Sequence, residues 1–190
     1  MANFFVEFIK NPVNTSSIVP SSKKLARAIV GMAKLSKANV VVEFGPGTGV
    51  FTEQILKKLP KRAKFFALEI NPKFVKHTKK RFPNAVVYHD TALNMRKYLK
   101  KHRTKHCDCI ISGLPFTIFN YELQKEFLKI VKDALSPGGR FLTFTYLHRR
   151  ESKGNLRLKK LLKKNFNKLE TSRVVWKNFP PAYVYCATKK

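Results

Sequence analysis

Short apolar runs alternate with longer segments of mixed polarity along most of the chain. The runs are rich in β-branched and aromatic residues, as strands are, and the segments between them have the length and spacing of helices. Five such runs are VVVEF at 40–44, KFFALEI at 64–70, AVVYHD at 85–90, CDCIISG at 107–113 and RFLTFTY at 140–146. Because nearly continuous apolar strands are typically buried on both faces, the pattern predicts a parallel α/β sheet with helices on both sides.

The C-terminal region departs from this alternation. SRVVW at 172–176 and AYVYCAT at 182–188 are separated only by KNFPP. This connection is too short for a crossover helix, so the two runs predict an antiparallel hairpin at one edge of the sheet.

The N-terminal region predicts a helical arm. PSSKKLARAIVGMA at 20–33 has Ser21 or Ser22 as a helix cap and places Leu25, Ile29 and Met32 on one face. Apolar residues also recur at helical spacing further upstream, at Phe4, Phe5, Phe8 and Ile9. We expect residues 1–36 to form an arm that packs on the core, contacts a membrane or covers a substrate. Residues 37–190 then form the core of a single structural domain.

Length and composition fit one domain, because 190 residues with 44% hydrophobic content can bury one sizeable core. No stretch reaches the roughly 18 to 20 apolar residues that cross a membrane, and the N-terminus lacks the pattern of a signal peptide. A cytoplasmic location is therefore expected. Cys107, Cys109 and Cys186 fall within predicted strands, which favours buried thiols over a disulfide or metal framework, and no metal site is predicted.

The net charge is strongly positive, since 39 Lys and Arg stand against 11 Asp and Glu and give +28. Acidic residues are scarce as well as basic residues abundant, which predicts an anionic partner. Nucleic acid and an anionic membrane surface both satisfy this requirement, and charge alone does not separate them.

Three closely spaced glycines follow the first predicted strand, at Gly45, Gly47 and Gly49. Glycine keeps a turn from strand to helix open, so that backbone amides and the helix N-terminus can approach a ligand. The spacing is not the G-x-G-x-x-G of dinucleotide-binding proteins, and no Gly-Lys-Ser/Thr follows to make a phosphate-binding P-loop.

Acidic residues end three successive predicted strands, at Glu43, Glu69 and Asp90. The carboxyl ends of parallel strands share one edge of the sheet, where open α/β folds bind ligands. Glu69 lies about 20 residues after the glycines, where a carboxylate can accept hydrogen bonds from ribose hydroxyls. Asp90 is placed to meet an exocyclic adenine amine or its own loop. The sequence therefore predicts a nucleoside site.

Four stretches, VVEFGPGTG, ALEI, HDTAL and IISGLPF, resemble motifs of the class I S-adenosylmethionine-dependent methyltransferases. The resemblance implies a Rossmann-like fold with a seven-stranded, mostly parallel sheet and an antiparallel C-terminal edge hairpin. It also implies S-adenosyl-L-methionine as cofactor, S-adenosyl-L-homocysteine as product, and Glu43 near the methionine amino group. The cofactor-binding residues that it implies are Glu43, Gly45, Gly47, Thr48, Gly49, Glu69, Ile70, Asp90, Thr91, Ala92 and Ser112.

Two branches of these enzymes resemble the chain: the rRNA adenine dimethyltransferases, which share the EFGPGTGVFTEQIL style of first motif, and the bacterial phosphatidylethanolamine N-methyltransferases. The adenine branch typically has Asn-Leu/Ile-Pro-Tyr/Phe at the fourth strand, whereas this chain has Gly113, Leu114, Pro115 and Phe116. The side chain of that Asn is absent, and Ser112 is the residue that could compensate. The chain also ends after the hairpin, without the helical C-terminal domain that rRNA members usually carry.

Two further stretches, SSIVPSSKKLARAIV and NFPPAYVY, resemble segments of the phospholipid enzymes. We therefore expect N-methylation of the phosphatidylethanolamine headgroup, with successive methylations toward phosphatidylcholine, at the inner face of the cytoplasmic membrane. RNA adenine N6-methylation is the alternative. A non-catalytic basic nucleic-acid-binding module is disfavoured by the complete set of glycines and acids.

These expectations assign further residues. An amine must lose a proton before it accepts a methyl group, and the candidates that would favour this loss are Tyr146, His148 and Tyr183. Substrate contacts are expected at Gly113, Leu114, Pro115, Phe116 and Phe119, with cation–π stabilisation from the last two. Membrane contacts are expected at Phe4, Phe5, Phe8, Lys159, Lys160, Lys163 and Lys164. The leucines of NLRLKKLLKKNF at 155–166 either insert into the membrane or pack on the sheet.

Overall fold

The computed structural model describes residues 21–190, so the expected contacts of Phe4, Phe5 and Phe8 lie outside the described residues. Within this range seven strands form one sheet in the order β3-β2-β1-β4-β5-β7-β6. The strands are β1 (Val40–Phe44), β2 (Lys64–Glu69), β3 (Val86–His89), β4 (Cys107–Ser112), β5 (Leu135–Tyr146), β6 (Lys168–Thr171) and β7 (Ala182–Thr188). Strands β1 to β5 are parallel, and β7 is antiparallel to both of its neighbours. The predicted seven-stranded Rossmann-like sheet is confirmed.

Six α-helices of the described range cover both faces of the sheet: α1 (Lys23–Met32), α2 (Val50–Lys58), α3 (Pro72–Arg81), α4 (Met95–Lys101), α5 (Tyr121–Ala134) and α6 (Lys153–Asn165). Helices α1, α2 and α3 pack on one face and α4, α5 and α6 on the other, which gives two separate core clusters. Side chains of a strand alternate between faces, so Val41 joins the first cluster while Val42 joins the second.

Helix α1 begins as its sequence predicts. Ser22 is its N-cap, and its hydroxyl accepts a hydrogen bond from the backbone N–H of Leu25 at 3.1 Å. Leu25 and Ile29 are fully buried. This helix therefore packs on the core, and the boundary between an arm and a core at residues 36 and 37 stays a prediction. The three cysteines are likewise buried as free thiols.

The edge hairpin is present, but its first strand lies earlier than expected. Strand β6 is Lys168–Thr171, and residues 172–176 add an isolated bridge from Val175 to Ala182. Ser172 still pairs with Val184: its N–H donates to the Val184 carbonyl, while its hydroxyl, in place of its carbonyl, accepts the Val184 N–H, both at 2.9 Å. Residues 172–181 form the connection to β7, and the carbonyl of Pro181 accepts the N–H of Leu147, just after β5.

Candidate active site

The loop between β1 and α2 turns on glycines in the left-handed backbone region. Gly47 has φ +54° and Gly49 has φ +79°, values that side-chain-bearing residues rarely adopt. A Cβ built on Gly47 would meet no atom of residues 21–190 within 4 Å, whereas one on Gly49 would lie 2.6 Å from the ring of Phe82. Gly49 is thus required for packing beside α3. Among the described residues, none fills the space next to Gly47.

Glu43 is buried at the end of β1, below this loop. Its Oε2 accepts a hydrogen bond from the Thr52 hydroxyl at 2.7 Å, while its Oε1 has no hydrogen-bond partner among the described residues. Burial raises the pKa of Glu43 to about 8, and the nearby Glu69 carboxylate adds to the effect. A buried carboxylate of this kind gains most from a cationic partner.

Glu69 closes β2 and is tied to the glycine loop. Its Oε2 accepts the backbone N–H of Gly47 at 3.0 Å, and its Oε1 accepts that of Asn71 at 2.9 Å. Burial raises the pKa of Glu69, although these backbone donors oppose the shift. Ile70, the next residue, is half-buried and its carbonyl contacts the ring of His89 at 2.9 Å.

Asp90 follows β3, and its carboxylate accepts hydrogen bonds from its own loop and from α4. It accepts hydrogen bonds from Tyr98 and Asn94 at 2.7 and 2.8 Å and from the backbone N–H of Thr91. Burial alone would raise the pKa of Asp90, but these hydrogen bonds outweigh it and the pKa is lowered. Asp90 therefore fixes the loop that contains Thr91 and the buried Ala92.

The fourth strand ends in close contact with the first. The N–H of Gly113 donates to the carbonyl of Phe44 at 2.8 Å, and a Cβ on Gly113 would lie 2.6 Å from the carbonyl oxygen of Gly45. Ser112 is fully buried, with its hydroxyl accepting the N–H of Leu114 at 3.1 Å. Position 113 thus has no room for a side chain unless the backbone of the glycine loop moves.

A cavity lies between the glycine loop and the carboxyl ends of β4 and β5. It is lined by Ser21, Gly45, Pro46, Gly47, Thr48, Val50, Phe51, Phe74, Gly113, Phe144 and Tyr146. Tyr146 ends β5, and its ring stacks with that of His148 at a centroid distance of 5.7 Å and an angle of 10°. Burial raises the pKa of Tyr146. The structure therefore brings together the glycine loop, Gly113 and the predicted pair Tyr146 and His148 at one edge of the sheet.

Other predicted residues lie elsewhere. Phe116 and Phe119 are buried in the core, where both rings pack against Phe127 of α5. Their predicted cation–π role stays a prediction. Tyr183 lies on the opposite face of the sheet from Tyr146 and lines another cavity of about 330 Å³.

The basic helix α6 packs its leucines on the sheet. Leu158, Leu161 and Leu162 are buried, so they do not provide an apolar face for a membrane. The predicted lysines of this helix are exposed to solvent; they are Lys159, Lys160, Lys163 and Lys164.

Several residues of the site were not predicted. Thr52 carries the hydrogen bond to Glu43, and Phe74 and Phe144 line the cavity. Thr52 follows the glycines within the first turn of α2, which is the signal that could have pointed to it. The two phenylalanines read as ordinary core positions. Among residues 21–190, no cluster of three or more His, Cys, Asp or Glu side chains could hold a metal ion.

A family model described as ribosomal RNA adenine dimethylase matches residues 14–140. The chain belongs to this family. It is also 32% identical over 151 residues to the ornithine lipid N-methyltransferase of Singulisphaera acidiphila, a match that covers 76% of this chain and 79% of that protein. A dimethyladenosine transferase of Chaetomium thermophilum is 31% identical over 94 residues, which cover 50% of this chain and 24% of that protein.

The fold of this dimethylase-family chain also occurs among solved methyltransferases. A Thermotoga maritima S-adenosylmethionine-dependent O-methyltransferase superposes with a TM-score of 0.66 at 18% identity, covering 97% of this chain and 70% of that one. Family and fold together make the chain a class I methyltransferase whose cofactor is S-adenosylmethionine.

The residues present fit this cofactor. S-adenosylmethionine carries a sulfonium and an ammonium cation, and Glu43 offers a buried carboxylate oxygen that lacks a partner among the described residues. No residue of the described range fills the space next to Gly47, which leaves room for a ligand at this loop, and the Glu69 carboxylate accepts a hydrogen bond from the loop. No helix within residues 21–190 has both the length and the apolar composition needed to span a bilayer.

Proposed function

We propose that this protein transfers methyl groups to the amine of a membrane lipid headgroup, with phosphatidylethanolamine as the expected acceptor. One observation carries the proposal: the match to a lipid N-methyltransferase covers 79% of that protein, whereas matches to RNA-modifying relatives cover 24% and 19% of theirs. Ornithine lipid and phosphatidylethanolamine both present an amine on a lipid headgroup. Successive methylations of one amine would lead toward phosphatidylcholine.

The geometry of β4 supports a lipid amine over adenine. The adenine enzymes that resemble this chain carry an Asn at the position of Gly113. Here the carbonyl of Gly45 lies 2.6 Å from where a Cβ would be, so the loops approach more closely than a side chain allows. Ser112 does not replace the Asn, because it is fully buried and its hydroxyl holds the N–H of Leu114.

The chemistry divides between cofactor and protein. S-adenosylmethionine supplies a methyl group activated by the sulfonium charge. The chain must hold the acceptor nitrogen close to that methyl group and must favour the neutral amine. Tyr146 has a raised pKa and stays protonated near neutral pH, so it acts as a hydrogen-bond donor or acceptor and not as a base. His148, stacked on Tyr146, is the neighbouring group able to accept the proton.

The positive charge supports a membrane location. A net charge of +28 attracts anionic lipids. Each Lys or Arg near the membrane surface contributes about 1 kcal/mol to the binding free energy. We propose that the protein is peripheral at the inner face of the cytoplasmic membrane. The exposed lysines of α6 then act through charge, since their helix buries its leucines.

RNA adenine N6-methylation is the second candidate, and the family model favours it because that model is described as ribosomal RNA adenine dimethylase. The basic charge suits RNA equally well. In this case the Gly113 region would have to position adenine through backbone groups alone.

A methyl-transfer assay with radiolabelled S-adenosylmethionine tests both candidates. Purified protein is offered phosphatidylethanolamine with phosphatidylglycerol, ornithine lipid with phosphatidylglycerol, phosphatidylglycerol alone, and unmodified small-subunit rRNA. We expect label in the lipid phase only when an amine lipid is present, and no label with Gly47→Val. Label in ornithine lipid alone would replace the expected acceptor, and label in rRNA alone would overturn the lipid proposal.

A further inference from the structure

The loop at residues 172–181 exposes two large aromatic side chains at the rim of the site. Trp176 is 70% exposed and Phe179 is 83% exposed, more than any other large apolar residue of the described range. They lie three positions apart on one loop. Two large aromatic side chains exposed on one short loop are typical of an interaction surface, because their exposure is unfavourable without a partner.

The loop itself is held firmly. Asn178 is buried, its Nδ2 donates to the carbonyl of Pro180 at 2.6 Å, and its backbone N–H donates to that of Val175 at 3.1 Å. Its Oδ1 accepts the backbone N–H of Ser22 at 2.8 Å. The loop is therefore attached to the start of α1, and the outward position of the aromatics is built into the fold.

The loop is adjacent to the active-site cavity. Ala182, which follows it, pairs with Tyr146, and the N–H of Leu147 donates to the carbonyl of Pro181 at 2.7 Å. Tyr146 and Ser21 both line the cavity. A surface that bound the aromatics would thus lie close to this cavity.

Positive charge accompanies the aromatics. Lys177 lies between them in sequence, and Lys24 is two residues after Ser22, whose backbone N–H donates to Asn178 of the loop. Both lysines are exposed, and Lys177, with a smaller contribution from Arg27, lowers the pKa of Lys24. An anion would stabilise such a cluster of positive charges. Aromatic side chains flanked by lysines match the interface of an anionic bilayer, where the rings enter the headgroup region and the cations meet phosphates.

We propose that Trp176, Phe179, Lys24 and Lys177 form the membrane-docking surface of the protein, and that this surface holds an anionic bilayer against the active-site opening. The role of this surface in catalysis rests on the proposed function. Lipid binding through the four residues can be measured without catalysis.

Trp176 is the chain's single tryptophan and reports directly on this surface. The 190-residue protein is mixed with vesicles of phosphatidylglycerol and phosphatidylethanolamine, and separately with vesicles of phosphatidylcholine. We expect the emission to shift to shorter wavelength and to be quenched by brominated acyl chains only with the anionic vesicles. Vesicle binding with unchanged emission would overturn the proposal and place docking elsewhere, in residues 1–20 or α6. A shift with rRNA but none with vesicles would also overturn it.

Variants distinguish lipid binding by this surface from attraction by the overall positive charge. Phe179→Ser and Lys177→Ser should each reduce co-sedimentation with anionic vesicles by about fivefold or more while leaving the melting temperature and the activity on a soluble short-chain lipid unchanged. Matched controls lie at the amino edge of the sheet, where Val86→Ser and Lys61→Ser remove an exposed apolar side chain and an exposed charge. Equal losses from variants and controls would contradict the docking surface. Normal vesicle binding without lipid methylation would instead contradict the proposed function alone.

Discussion

Glu69 accepts a hydrogen bond from the backbone N–H of Gly47 at 3.0 Å, which ties the carboxyl end of β2 to the glycine loop after β1. The same carboxylate is predicted to bind the cofactor ribose. Glu69→Ala should therefore weaken S-adenosylmethionine binding by roughly ten- to a hundredfold, since a hydrogen bond to a charged group contributes about 1.5–3 kcal/mol. Titration calorimetry measures the loss. Glu122→Ala, which removes an exposed carboxylate on α5, should leave the affinity unchanged.

Gly47 and Gly49 share a left-handed backbone but differ in what surrounds them. Gly47→Ala places its Cβ in open space, so it should cost only the backbone strain of about 1–2 kcal/mol while sharply reducing cofactor affinity. Gly49→Ala brings a Cβ to 2.6 Å from Phe82 and should destabilise the fold more. Thermal melting and calorimetry on the pair check this. Equal melting temperatures, or full cofactor affinity in Gly47→Ala, would refute it.

The buried Glu43 should make the stability of the cofactor-free protein depend on pH. Its pKa is raised from 4.5 to about 8, so the folded protein binds more protons than the unfolded chain between these values. The free energy of unfolding should therefore fall as pH rises from about 5 to about 8, by at least about 1 kcal/mol. Urea unfolding at several pH values measures the slope.

Glu43→Gln removes the titrating group and should flatten this slope. A smaller dependence of the same sign should remain, because burial also raises the pKa of Glu69. Binding of the cationic cofactor favours ionised Glu43, so it should release protons near neutral pH, which calorimetry in buffers of different ionisation enthalpy detects. An unchanged slope in Glu43→Gln would show that Glu43 is already ionised in the cofactor-free protein.

The position of the three acids at one edge of the sheet is predictable from sequence because it depends on the order of the strands. Glu43, Glu69 and Asp90 end parallel strands, and register alone brings them to one edge. The hydrogen bond from Thr52 to Glu43 is not predictable in this way, because it depends on the orientation of α2. Sequence pattern does not specify that orientation.

The substrate half depends on tertiary packing and is less predictable. Phe116 follows the fourth-strand motif and reads as a site residue, but α5 and α6 cover it and bury it completely. Strand β6 does not follow from the pattern because Lys168–Thr171 is short and polar, whereas beyond it the hydroxyl of Ser172 takes the place of a backbone carbonyl opposite Val184. In both cases a tertiary contact overrides the local pattern.

Gly113 offers a direct test of the acceptor site. Gly113→Asn introduces the residue that the adenine branch carries. Its Cβ would lie 2.6 Å from the carbonyl oxygen of Gly45, so that carbonyl would have to move away. We expect a loss of about 1–3 kcal/mol in unfolding free energy and no gain of rRNA methylation. Gly113→Ala carries the same Cβ and should be destabilised to a similar extent. Label in rRNA with Gly113→Asn, at unchanged stability, would show that the loops can separate.

Tyr146 and Tyr183 lie on opposite faces of the sheet, and we expect a catalytic role for the first and a packing role for the second. The hydroxyl of Tyr183 lies 3.2 Å from the hydroxyl of Tyr185 and accepts a hydrogen bond from the side-chain amide of Asn155 on α6, also at 3.2 Å. Tyr146→Phe should lower kcat by about tenfold or more without changing stability or cofactor affinity, because it removes only a hydroxyl at the cavity. Tyr183→Phe should instead cost about 1 kcal/mol of unfolding free energy and leave kcat within about twofold. Steady-state kinetics and urea unfolding of both variants decide between the roles. A large fall in kcat for Tyr183→Phe at unchanged stability would move the reacting amine to the α6 face of the sheet.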